Sequence, residues 1–84
     1  MILEENKYYT DGDAFVKLID LSKSDSSLIY GNGVRKSTQL IAKNNRFYIG
    51  ELRSLTEIEL NWLQDCLAAK KYIPFPSESH YEVY

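Results

Sequence analysis

Eighty-four residues carrying a net charge of −2, one cysteine and one histidine describe a single small domain. A chain this short buries only about 60–65% of its unfolded surface, so a deep cleft is not expected. A lone cysteine excludes a disulfide framework and a cysteine–histidine zinc site, and no apolar run approaches the roughly 20 residues of a membrane span.

Charge is spread unevenly. Residues 1–30 hold three basic and six acidic side chains, residues 31–55 five and one, and residues 56–84 two and five. The basic middle is either neutralised by the acidic ends in the fold or left as a binding surface. The N-terminus lacks a basic region followed by an apolar run, so no signal peptide is read there. Together with the cysteine usage, this places the chain in the cytoplasm as an expectation.

Residues 1–10 read as a short edge strand or a lead-in that ends in Tyr8 and Tyr9. Asp11-Gly12-Asp13 is a turn signal. Residues 14–21 are apolar on both parities, which suits a strand buried on much of both faces. A short helix capped by Asp13 is the alternative that periodicity does not separate, and the strand is preferred. A polar loop follows over residues 22–27. Leu28-Ile29-Tyr30 favours β structure, and Gly31-Asn32-Gly33 is expected to stop it, since both residue types tolerate positive φ. The glycines precede no helix and match no Walker or dinucleotide spacing, so they are not read as a phosphate cradle.

Residues 36–43 and 46–52 flank Asn44-Asn45, a dipeptide suited to a type I′ hairpin turn. Alternation then puts Leu40, Ala42, Phe47 and Ile49 on one side, which should receive the helix. The other side carries Gln39, Ile41, Lys43, Arg46 and Tyr48. Gly50 reads as a bulge or a close approach.

Residues 56–71 read as the helix around which the rest is built. Thr56 and Glu59 have the spacing of a capping box, and Leu55 and Leu60 that of a hydrophobic staple. Glu57 and Glu59 sit near the positive end of the helix dipole, Lys70 and Lys71 near the negative end. At 100° per residue, Ile58, Leu60, Trp62, Leu63, Cys66, Leu67 and Ala69 cover a broad apolar arc, wide enough to lie across a sheet. Tyr72-Ile73-Pro74-Phe75-Pro76 should leave the helix on an extended path, with Phe75 docking back on the body. Residues 77–84 are read as a mobile tail in which residues 80–84 are suited to an added edge strand or a partner's groove.

The run Leu55 to Leu67, with Lys70-Lys71-Tyr72-Ile73-Pro74 after it, resembles small proteins encoded by tailed bacteriophages. Those end in a pattern like A-T-x-E-E-x-x-W-L-x-x-C followed by a short basic, aromatic and proline stretch. Thr56, Glu59, Trp62, Leu63 and Cys66 match; Leu55 and Ile58 depart from it. The resemblance covers about a quarter of the chain and carries no catalytic residues. It implies a phage or mobile-element origin, a bacterial cytoplasm, and a role as inhibitor or adaptor of a host protein, defence systems included.

No constellation points to an enzyme. His80 has no second histidine beside it in the sequence. Cys66 lies on an apolar helix face, whereas a reactive thiolate needs a positive, partly exposed setting. Asp11 and Asp13 read as turn residues, Glu57 and Glu59 as caps. Two binding features remain. Lys43, Arg46 and Tyr48, extended by Arg35, Lys36 and Arg53, mix cations with an aromatic ring, as surfaces for single-stranded nucleic acid or nucleotides do. Seven tyrosines, Tyr30 among them, exceed what a small core needs, and tyrosine is enriched at protein interfaces.

The sequence therefore predicts an α+β fold: an antiparallel β-meander of three to five strands with one C-terminal α-helix packed on a face, residues 1–76 forming the domain. Its expected function is binding a host or phage protein, or a second copy of the chain. Nucleic acid or nucleotide binding by residues 35–53 is the alternative. No cofactor, metal, membrane partner or catalytic residue is expected.

Overall fold

A computed structural model describes residues 2–76. The expected tail and its edge strand lie outside the described residues. Strands β1 (Tyr8–Thr10), β2 (Ala14–Leu18), β3 (Leu28–Arg35), β4 (Leu40–Tyr48) and β5 (Arg53–Ser54) precede helix α1 (Glu57–Ala69). The sheet runs β4-β3-β2-β1-β5 with every pairing antiparallel. The first four strands are a meander and the helix packs on one face, as expected. Residues 14–18 are strand, and the polar loop includes a single 3-10 turn (Leu21–Lys23) capped by Asp20. β1 is not an edge, because β5 pairs along its free side.

Two local expectations are corrected. Gly31-Asn32-Gly33 does not end a strand; β3 runs straight through it. A Cβ on Gly31 would collide with the Lys17 carbonyl, and one on Gly33 with the Phe15 carbonyl. The glycines are there for backbone approach, not for positive φ. Nor does Asn44-Asn45 make a hairpin turn. It lies inside β4, where Gly31 pairs with Asn45 and Gly33 with Ala42, so β4 carries one residue more than β3 across this step. That is a bulge, with Asn44 at φ 49° and its N–H donated to Asn32 Oδ1 at 2.8 Å. Asparagine's tolerance of positive φ serves a bulge as well as a type I′ turn. The true β3–β4 turn is residues 36–39, with Gln39 at φ 56° and its N–H on the Arg35 carbonyl.

The bulge lets the β3–β4 ribbon fold back on itself. Eight residues of straight strand would carry Tyr48 about 26 Å from Leu40. Yet Arg35, the partner of Leu40, donates from Nη2 to the Tyr48 carbonyl at 2.8 Å. Gly50 N–H likewise reaches Asp11 Oδ2 at 2.9 Å, back at the β1–β2 turn. Inside the fold-back lies the first core: Tyr9, Ala14, Val16, Leu18, Ile29 and Phe47, closed by Leu3, Ala42, Ile49 and Leu52.

The second core lies on the opposite face, between Phe15 and Val34 of the sheet and Trp62, Leu63 and Cys66 of α1. The helix therefore sits on the Ile41 side, not on the Ala42 and Phe47 side. Its capping box is present, Thr56 Oγ1 accepting from Glu59 N–H at 3.2 Å and Glu59 Oε1 from Thr56 N–H at 2.9 Å. The buried face is narrower than the apolar arc: Glu59, Trp62, Leu63 and Cys66 are buried, while Ile58 (61% exposed) and Ala69 face water. Leu40 is exposed too, because it sits at the turn end of β4, beyond the helix.

Candidate functional site

The predicted basic set divides in two. Arg35, Lys36 and Arg53 are occupied by the fold. Arg35 pairs with Asp13 at 3.1 Å besides clasping Tyr48. Lys36 Nζ stands 4.4 Å from the Phe75 ring centroid and 6.0 Å from that of Phe15. Arg53 forms a bidentate pair with Glu59 at 2.7 and 2.8 Å. That pair holds the Glu59 carboxyl down to about 2, chiefly through the Arg53 hydrogen bond and against the effect of burial. Asp13 is committed as well, accepting from Ser37 N–H, Ser37 Oγ and Arg35. Burial acts to raise Asp11, but N–H groups of Gly50, Ala14 and Asp13 outweigh it and keep the carboxyl below its usual range. The two turn carboxylates of residues 11–13 are thus structural clasps.

Tyr30, Lys43, Arg46 and Tyr48 come together instead. Tyr30 pairs directly with Arg46, and Leu28 with Tyr48 two rungs on. All point to the outside of the folded-back ribbon, since Ile29 and Phe47, the alternate residues, fill its inside. Tyr48 is 67% exposed. Two cations the sequence did not single out border this surface. Lys23 sits 4.7 Å above the Tyr30 ring and is paired with Asp20 at 3.9 Å. Lys17 lies opposite Asn32 on one side and Tyr8 on the other, with Nζ 5.9 Å from the Tyr8 centroid. The result is a band of cations and tyrosines running from β1 across the bend.

No strand of the sheet contains an Asp or a Glu, although the chain has twelve. That was the missed signal. The carboxylates of the described residues gather in the turns, the helix and the N-terminal segment, while Lys17, Lys43 and Arg46 make no ion pair among those residues. A surface of this kind binds anionic groups, with the rings adding rigid contact area.

No family model, curated protein or solved structure matches this chain. Among the described residues no three His, Cys, Asp or Glu side chains gather as metal ligands, and no helix is long and apolar enough to cross a membrane. Cys66 is buried, and burial pushes its thiol above the ordinary range. That favours a packed thiol over a nucleophile.

Proposed function

We propose that this protein is a binding module that docks an acidic protein surface through the band of Tyr8, Lys17, Tyr30, Lys43, Arg46 and Tyr48. The observation that carries this reading is the charge of the band. Its residues lie on strands that contribute no carboxylate, and those of β4 face the outside of the ribbon's bend. A cationic face bearing tyrosines fits an acidic protein surface. The phage-like pattern at Thr56, Glu59, Trp62, Leu63 and Cys66 supports a host protein in a bacterial cytoplasm as that partner, with inhibition as the outcome of binding.

A second reading, single-stranded nucleic acid on the same face, is favoured by three tyrosines set among cations. It has one feature against it: strand binders carry a basic isoelectric point, whereas this chain's is about 5.3. Charge reversal at Lys43 and Arg46 tests both. Capture of one stoichiometric protein from bacterial lysate by the wild type, lost in Lys43→Glu/Arg46→Glu, supports the protein partner. Affinity for oligonucleotides that falls steeply with salt, and disappears in the same variant, would replace it with the second reading.

A further inference from the structure

After α1 the chain turns at Lys70, in the left-handed conformation at φ 58°. It then runs over the second core without joining any strand through Tyr72, Ile73, Pro74 and Phe75. The body grips this segment by its main chain. Trp62 Nε1 donates to the Ile73 carbonyl at 2.6 Å, and Ile73 N–H donates to Cys66 Sγ at 3.4 Å. Both main-chain groups of one residue are thus satisfied by side chains of the helix. Rings then flank the segment: Trp62 meets Phe75 edge-on at 5.1 Å and Tyr72 at 5.9 Å, with Phe15 on its other side at 5.1 Å. Lys36 caps Phe75.

A groove of aromatic rings, with an indole N–H aimed at a carbonyl beside a proline, is the chemistry by which extended proline-containing peptides are recognised. Main-chain contacts are tolerant of sequence, so such a groove accepts other segments of the same shape. We infer that the groove between Phe15, Lys36, Trp62 and Cys66 is a peptide-binding site, held in an autoinhibited state by residues 72–76, whose outside ligand is an extended aliphatic-proline-aromatic segment of a partner protein. The cis segment acts at an effective concentration in the millimolar range, so an outside ligand gains access as the segment loosens. The two-residue link, Lys70-Lys71, with its strained left-handed lysine, is where it would swing. This site is independent of the cationic band.

The chain has one tryptophan, so a single indole N–H resonance reports the groove. The full chain is prepared with Phe75→Ala or with Pro74→Gly. Each loosens the segment and leaves the groove residues untouched. Titration uses the peptide Lys-Tyr-Ile-Pro-Phe-Pro. The expected result is that the indole resonance of the loosened variants returns to its wild-type position. Half-saturation, read for variants and wild type alike by polarisation of the peptide carrying a fluorophore, should come at a peptide concentration about tenfold or more below that needed with the wild type. An indole signal that ignores the peptide, or responds equally to a scrambled one, overturns the inference. A concentration-dependent dimer of the variants without peptide response also overturns it, by assigning the groove to a second copy. Should both variants fail to fold, the wild type decides with the same peptide carrying a spin label at millimolar concentration: broadening of the indole resonance supports the site and an unbroadened resonance overturns it.

Discussion

The two cores of this small domain are held by opposite means. The one inside the folded ribbon depends on how closely backbones approach: Gly31 and Gly33 lie where β3 crosses the Lys17 and Phe15 carbonyls. It is kept shut by main-chain bonds to Asp11 and by the Arg35 clasp on Tyr48. The one under the helix depends on side-chain volume, with Trp62 at the centre of three edge-on rings. A backbone-limited core tolerates no added atom at its crossing. A ring-filled core tolerates no removed one.

Substitutions can break that contrast. The largest effect is expected from Gly31→Val. Its Cβ has no space against backbone that cannot yield, so the cost should be about 5 kcal/mol or more, enough to unfold a marginal domain. Circular dichroism of the purified variant checks this, and a native spectrum would remove the close crossing from the account. Trp62→Ala should cost about 3–5 kcal/mol by denaturant unfolding, since it empties the second core. The inner core should keep its hydrogen-exchange protection in that variant if the two cores are as distinct as their contacts suggest.

Acid sharpens the comparison, because among the described residues the strongly shifted carboxyl is on the helix side. Glu59 falls from an ordinary 4.5 to about 2 in the folded state. A depressed folded value means stability that is complete above about pH 5 and lost as pH falls through about 2, on the order of 3 kcal/mol in all. Unfolding curves from pH 6 to 2, compared with Glu59→Gln, measure it. The variant should have a shallower slope over that range, the remainder belonging to the lowered carboxyls of Asp11 and Asp13. Arg35→Ala should have the smallest effect, about 1–2 kcal/mol, because the clasp is partly exposed. Its signature is faster amide exchange at Gly50 and Tyr48, with α1 unchanged.

The helix side was legible in the sequence because its determinants are local. Thr56 and Glu59 are three apart, and Trp62, Leu63 and Cys66 share a face by periodicity. The arc over-reached only at its ends, where Ile58 and Ala69 had no sheet beneath them. The bend was not legible, since it needs the register of β2 against β3 and of β3 against β4. Glycine and asparagine read as turn residues whenever that register is unknown. The candidate face was half legible for the same reason. Lys43, Arg46 and Tyr48 follow from strand alternation and Tyr30 from the number of tyrosines, but only the tertiary contacts separate them from Arg35, Lys36 and Arg53, and only pairing adds Lys17.

The free edge of β4 has one more consequence. Asn45 Oδ1 accepts from the Arg46 N–H, and the Tyr48 carbonyl accepts from Arg35, so two groups of this strand are already occupied by side chains. Lys43 and Arg46 beside it would also repel a like-charged copy. Such a margin should resist templated stacking into fibrils, leaving a protein of exposed tyrosines that stays dispersed when concentrated.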